Sequence, residues 1–153
     1  MSQIHDQAQG AIDKLLQADT DQLFEELGMR QRKLSTEAAV AGSFDPAITY
    51  DARLMGPMDD VRDFGRLFFR RLESNAYELV CGTDKAFEKD REKINAALET
   101  GQTAAATALA VACVSAFGWA PAIASVVAAI AIKLFFKSAH GAMCDLWKAH
   151  LPK

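Results

Sequence analysis

Thirty consecutive residues, Thr103 to Ile132, carry no charge, and alanine fills 13 of those positions. A helix that is apolar on every side has to be enclosed by protein or by lipid, so this stretch limits what the chain can fold into. Gly118, Trp119, Ala120 and Pro121 interrupt it near the middle. Glycine suits the end of one helix and proline the first turn of the next, so two helices meeting at a corner are expected. In the first, about 103–117, Ala104, Ala108, Ala112 and Ala116 recur every four residues and form a smooth strip that another helix can approach closely. In the second, Ile123, Val126, Val127, Ile130 and Leu134 share a face. Phe136, His140, Met143 and Trp147 continue it, so one helix over 121–150 is expected, about 45 Å long.

The length of the stretch weighs on where it resides. Residues 103–117 span about 22 Å as a helix, against roughly 30 Å of hydrocarbon in a bilayer. Only 10 of the 30 positions are Leu, Ile, Val, Phe or Trp, which is a weak drive toward lipid. The buried core of a water-soluble bundle is the favoured reading, with entry of 103–136 into a bilayer as the alternative. In that alternative Phe117, Trp119, Ile123, Phe135 and Phe136 would meet the membrane, with Lys133 and Lys137 at its surface.

The preceding hundred residues supply amphipathic helices to cover such a core. Ile4, Ala8, Ile12, Leu15 and Leu16 recur at helical spacing over 2–18. Asp19 with Gln22 is a capping box opening a second helix, in which Leu23, Leu27 and Leu34 continue the apolar face across Gly28. Residues 42–57 have no helical period, and Phe44, Ile48, Tyr50, Leu54 and Met55 are expected to pin that loop to the helices. Pro57 opens a third helix with a stripe of Met58, Val61, Phe64, Phe68, Leu72 and Leu79, ending at Gly82. Thr83 is expected to cap a short charged helix with Phe87, Ile94 and Leu98 inward. The sequence has no strand pattern and no internal repeat.

Charge and chemistry narrow the function. Net charge is -3 and the acids concentrate in the first hundred residues, so nothing draws the chain toward nucleic acid. Arg62, Arg66, Arg70 and Arg71 line one helix, where Asp59, Asp63 and Glu73 stand at pairing distance, which reads as a salt-bridged face. The three cysteines, Cys81, Cys113 and Cys144, are far apart and odd in number, so no disulfide framework is expected. His140 and Cys144 lie one helical turn apart, but two donors do not make a metal site. No nucleophile motif, phosphate-cradling loop or cofactor motif is present, so no enzyme, cofactor or metal is expected. The first ten residues lack the basic cluster and apolar run of an export signal, and with no disulfides expected the chain is assigned to the cytoplasm.

The expected fold is therefore an all-α single domain over 1–153, a bundle of five or six helices around a central alanine-rich hairpin (103–117 and 121–150). The expected function is a small soluble binding or regulatory protein acting through a protein partner or self-association, with Met143, Leu146, Trp147 and Tyr50 as contact residues. The alternative is a membrane-active effector or toxin. In pattern, over the last third of the chain and without any shared motif, the buried hairpin resembles the design of colicin-type pore-forming domains. That resemblance implies a hairpin hidden in water and released at a bilayer.

Overall fold

The computed structural model describes residues 2–151 and contains eight α-helices and no strand among them. They are α1 (Ser2–Leu15), α2 (Thr20–Leu34), α3 (Ala52–Met55), α4 (Met58–Cys81), α5 (Glu88–Thr100), α6 (Gln102–Phe117), α7 (Pro121–Phe135) and α8 (His140–His150). Two 3-10 turns, Ala38–Gly42 and Lys85–Phe87, complete the helical content. The chain is all-helical, with more and shorter helices than the five or six expected.

Local signals set most of the boundaries. Asp19 accepts a hydrogen bond from the Gln22 amide at 2.8 Å, and Gln22 accepts one from the Asp19 amide at 3.0 Å, so the capping box forms. Gly118 is left-handed (φ 68°) and closes α6, and Pro121 occupies the first turn of α7. One expected cap moves: Asp84, not Thr83, accepts from the Ala86 amide, and the turn it starts precedes α5.

Helix α7 is the centre. All of its residues from Ala122 to Ile132, together with Phe135, are buried, and α1, α2, α4, α6 and α8 all pack against it. The apolar stretch is thus enclosed by protein along α7, as its composition requires. Helix α6 lies between α1 and α5 and rests on α7.

Helices α2 and α4 form the most extensive contact, and glycine makes it possible. A Cβ on Gly65 would lie 1.9 Å from the Phe24 carbonyl oxygen, and one on Gly28 would lie 2.2 Å from that of Val61. The two backbones touch. This crossing sets the buried face of α4 at Val61, Gly65, Phe69, Glu73, Ala76, Leu79 and Val80, of which Val61 and Leu79 belong to the expected stripe. Phe64, Phe68 and Leu72, expected inward, are only half-buried.

The largest correction concerns residues 121–150. The chain breaks after Phe135, and α8 turns about 100° from α7. A straight helix would carry Met143 and Trp147 into water; the bend puts both at 0 % exposure. Trp147 stacks on Phe135 (5.2 Å between centroids) and meets Tyr77 edge-on (5.6 Å). Burying a tryptophan and a methionine outweighs the helical hydrogen bonds lost at the break.

The loop after α2 is held by a buried arginine. Arg30, 1 % exposed, donates through one guanidinium nitrogen to the carbonyls of Phe44 (3.0 Å) and Ala122 (2.9 Å) and to the Ser125 hydroxyl (2.9 Å). Its Nε donates to Glu26 at 2.8 Å. Ser125 also donates to the Phe44 carbonyl at 2.9 Å. One side chain thereby ties α2, the loop and the first turn of α7. Of the five residues expected to pin the loop, Phe44 and Met55 are buried and Ile48 half-buried, whereas Tyr50 and Leu54 are exposed.

Candidate functional site

Apolar groove between three helices is what the outer face of α6 creates. Its alanine strip is only partly covered: Ala112 is buried, whereas Ala104 and Ala108 are half-buried. Ala104, Ala108 and Ala112 floor an open groove of about 650 Å³, with Val111 and Ser115 beside them. Ile4 and His5 of α1 form one wall, and Asp90, Lys93, Ala96, Ala97 and Thr100 of α5 form the other. Ile4 is 41 % exposed at the rim. Asp90 and Lys93 place one charge of each sign along the α5 edge. The floor carries methyl groups only, so an incoming helix can approach the α6 backbone closely, with hydrogen-bonding groups confined to the rim.

The residues expected to contact a partner do not gather there. Met143 and Trp147 are fully buried in the α8 contact with α4 and α7, which overturns their reading as an overhanging surface. Leu146 is half-buried. Tyr50 is 37 % exposed, on the opposite loop, and its hydroxyl donates to the Gly56 carbonyl. The residues assigned to a bilayer are likewise engaged. Phe117 packs against Phe87 and Trp119, Ile123 and Phe135 are buried, and Trp119 and Phe136 are half-buried. No single helix among the described residues is long and apolar enough to cross a membrane.

The arginine face is salt-bridged at two of its four members, Arg62 and Arg66; among the described residues Arg70 and Arg71 form no ion pair. Arg62 grips Glu25 through two nitrogens (2.9 and 2.6 Å) and reaches Asp59 at 3.3 Å. Arg66 pairs with Asp21 at 2.7 Å and with Asp63 at 3.2 Å. Glu73 departs from the pattern. It turns inward beside Trp147, 4 % exposed, and burial holds its carboxyl above the usual range, against the opposing pull of the indole, Arg70 and His150. The Trp147 indole N–H is buried without an acceptor at full hydrogen-bond distance. Phe24, Phe69, Leu134 and Phe135 join Glu73, Arg66, Arg70 and His150 around a cleft of about 260 Å³. That cleft presents no nucleophile paired with a base.

Near the loop, Tyr50 and Asp51 line an open depression with Lys33 and Glu37. Asp45 does not line it and pairs instead with Lys14 at 2.8 Å.

The cysteine reading is overturned. Cys81, the last residue of α4, and Cys144 of α8 form a disulfide with their Cα atoms 5.7 Å apart. Cys113 remains a free, buried thiol, and burial pushes it far above the usual thiol range. His140 joins the pair: its Nε2 lies 2.7 Å from the Val80 carbonyl and 3.5 Å from Cys144 Sγ. A sequence separation of 63 residues hid this pairing.

No family model, curated protein or solved structure matches the chain. Fold and sites therefore define it as an all-α helical domain bearing an open apolar groove.

Proposed function

We propose that this chain is a small helical binding protein that acts through protein–protein contacts, and that the groove over α6 receives an apolar helical face of its partner or of a second copy. The apolar α6–α7 pair serves in this reading as the central hairpin on which that surface is built. The observation that carries it is the alanine floor: a helix apolar on all sides is left only half-covered at Ala104 and Ala108, and that face is smooth and flanked by Ile4. The contact surface thereby moves from Trp147 and Met143 to Ile4, Ala104 and Ala108.

The test is photocrosslinking from a benzophenone side chain at Ser115, with sedimentation equilibrium for self-association. A crosslinked species that disappears in Ala108→Arg, with helicity and Tm retained, is the expected result. Absence of any species sensitive to Ala108→Arg refutes the groove. Cytoplasmic placement belongs to the same proposal and requires the Cys81–Cys144 bond to be open there, because thiols are kept reduced in that compartment. Thiol counting on chain isolated under alkylating conditions checks it.

A second reading, a membrane-active effector, draws on one observation. Helices α7 and α8 together have the length and composition of a span, broken by their 100° bend. Dye release from anionic liposomes, at neutral and acid pH, decides it; intact vesicles under every condition remove this reading.

A further inference from the structure

Cys81, His140 and Cys144 bring their three donor atoms within 4.8 Å of one another. We propose that, once the disulfide is reduced, they form a Cys2His site for a zinc-like divalent cation, so that metal and disulfide are alternative occupants of one position.

The geometry argues for this on three grounds. Four-coordinate zinc with bonds of about 2.3 Å to sulfur and about 2.05 Å to nitrogen sets the sulfur–nitrogen edge of its tetrahedron at about 3.5 Å. Nε2 of His140 lies 3.5 Å from Cys144 Sγ. Those two donors are four residues apart on α8 and so share a face, and the end of α4 delivers the third. All three side chains are half-buried, so the remaining face of a tetrahedron is open to water. A disulfide that served as a staple alone has no need of an imidazole against its sulfur.

The chemistry balances. A dithiol transfers two electrons and two protons to the Cys81–Cys144 bond and closes to its own disulfide. The two sulfurs then separate to the roughly 3.7 Å of a zinc tetrahedron, and the cation displaces both thiol protons. Today Nε2 carries a proton, since the Val80 carbonyl only accepts. In the metal-bound form that proton resides on Nδ1 and the Nε2 lone pair faces the metal. One hydrogen bond is given up for three metal–ligand bonds. In the reverse direction a small-molecule disulfide takes the two electrons by thiol–disulfide exchange, leaves as two thiols after gaining two protons, and the re-formed Cys81–Cys144 bond releases the cation.

The experiment uses the full chain, reduced with a phosphine and desalted without oxygen, then titrated with Co²⁺ and Zn²⁺. The expected result is one Co²⁺ per chain with thiolate-to-cobalt charge transfer and tetrahedral d–d bands, displaced by Zn²⁺ and absent from the disulfide form. Zn²⁺ should shield Cys81 and Cys144 from alkylation, whereas buried Cys113 stays unreactive with or without metal. His140→Gln should weaken binding at least tenfold. The proposal is overturned if the reduced, helical chain shows no charge-transfer band, if the band survives in Cys81→Ser, or if His140→Gln binds as the wild type does. Should reduction unfold the chain, refolding on Zn²⁺ supports the site and failure to refold overturns it.

Discussion

Replacing Gly65 with alanine tests the α2–α4 crossing directly. The added Cβ would stand 1.9 Å from the Phe24 carbonyl oxygen and 2.8 Å from its carbonyl carbon. An ordinary carbon–oxygen contact is about 3.3 Å or more, so the helices have to separate by over 1 Å locally. The obstacle is backbone, and no rotamer change relieves it. Overpacking of this kind costs about 1–3 kcal/mol, and a backbone obstacle belongs at the upper end. Alanine returns about 1 kcal/mol of helix propensity, leaving a net loss of about 2 kcal/mol. With a urea m-value of roughly 2 kcal/mol per molar, the unfolding midpoint should fall by about 1 M. Gly10→Ala is the control: a Cβ there meets nothing within 4 Å on an exposed helix face, so that variant should gain stability. A Gly65→Ala chain as stable as the wild type would mean that α2 and α4 do not touch at this point.

Three further outcomes follow. Arg30→Met removes the donor to the Phe44 and Ala122 carbonyls and should cost about 3 kcal/mol in urea unfolding. Because Ser125 shares the Phe44 carbonyl, its combination with Ser125→Ala should be non-additive by more than about 0.5 kcal/mol, and strict additivity would contradict a shared network. Opening the Cys81–Cys144 bond in the presence of a chelator, across a separation of 63 residues, should lower stability by about 4 kcal/mol, read from urea curves with and without reductant. Burial raises the Glu73 carboxyl, so the folded chain holds its proton more tightly than the unfolded one. Its contribution is then fully present below about pH 4 and is lost as pH rises through the higher folded value. Glu73→Gln, neutral throughout, should match the wild type near pH 3 and exceed it at pH 7; a less stable variant at pH 7 reverses the sign and refutes the argument.

What the sequence made legible was local. The Asp19 and Gln22 capping box, the Gly118 stop and the Pro121 start act within a few residues, and each falls where its chemistry places it. The enclosure of 122–132 follows from a run without charge. Apart from the one-residue shift of a cap from Thr83 to Asp84, the features that the structure corrects depend on residues far apart in the chain. Arg30 carried a signal: it continues the spacing of Leu23, Leu27 and Leu34, so a charge stood on the apolar stripe of α2. Glu73 stood on the true buried face of α4, hidden because the Gly28–Gly65 contact rotates that face away from the Phe64, Phe68 and Leu72 pattern. The α8 bend and the Cys81–Cys144 pair had no signal of comparable strength. Composition stays helical from 121 to 150, and the reward for breaking it, Trp147 against Phe135 and Tyr77, exists only in three dimensions.

The groove offers the sharpest way to join stability to function, because its floor can be filled. Ala108 is half-buried at the centre of the floor, with open volume above it. Leucine there adds three carbons on a residue type that suits a helix interior, so backbone propensity hardly changes. At about 0.8 kcal/mol per buried CH₂ and with partial burial, Ala108→Leu should gain about 1–2 kcal/mol in urea unfolding. The same side chain occupies the space an incoming helix needs, so crosslinking from Ser115 should disappear. Ala108→Arg should abolish crosslinking without the gain. A gain from leucine is stability that the alanine floor leaves unused, as expected of a surface kept open for a partner. If α5 instead closes onto α6 in solution, leucine overpacks the contact and lowers stability, and the groove is then neither vacant nor a docking surface.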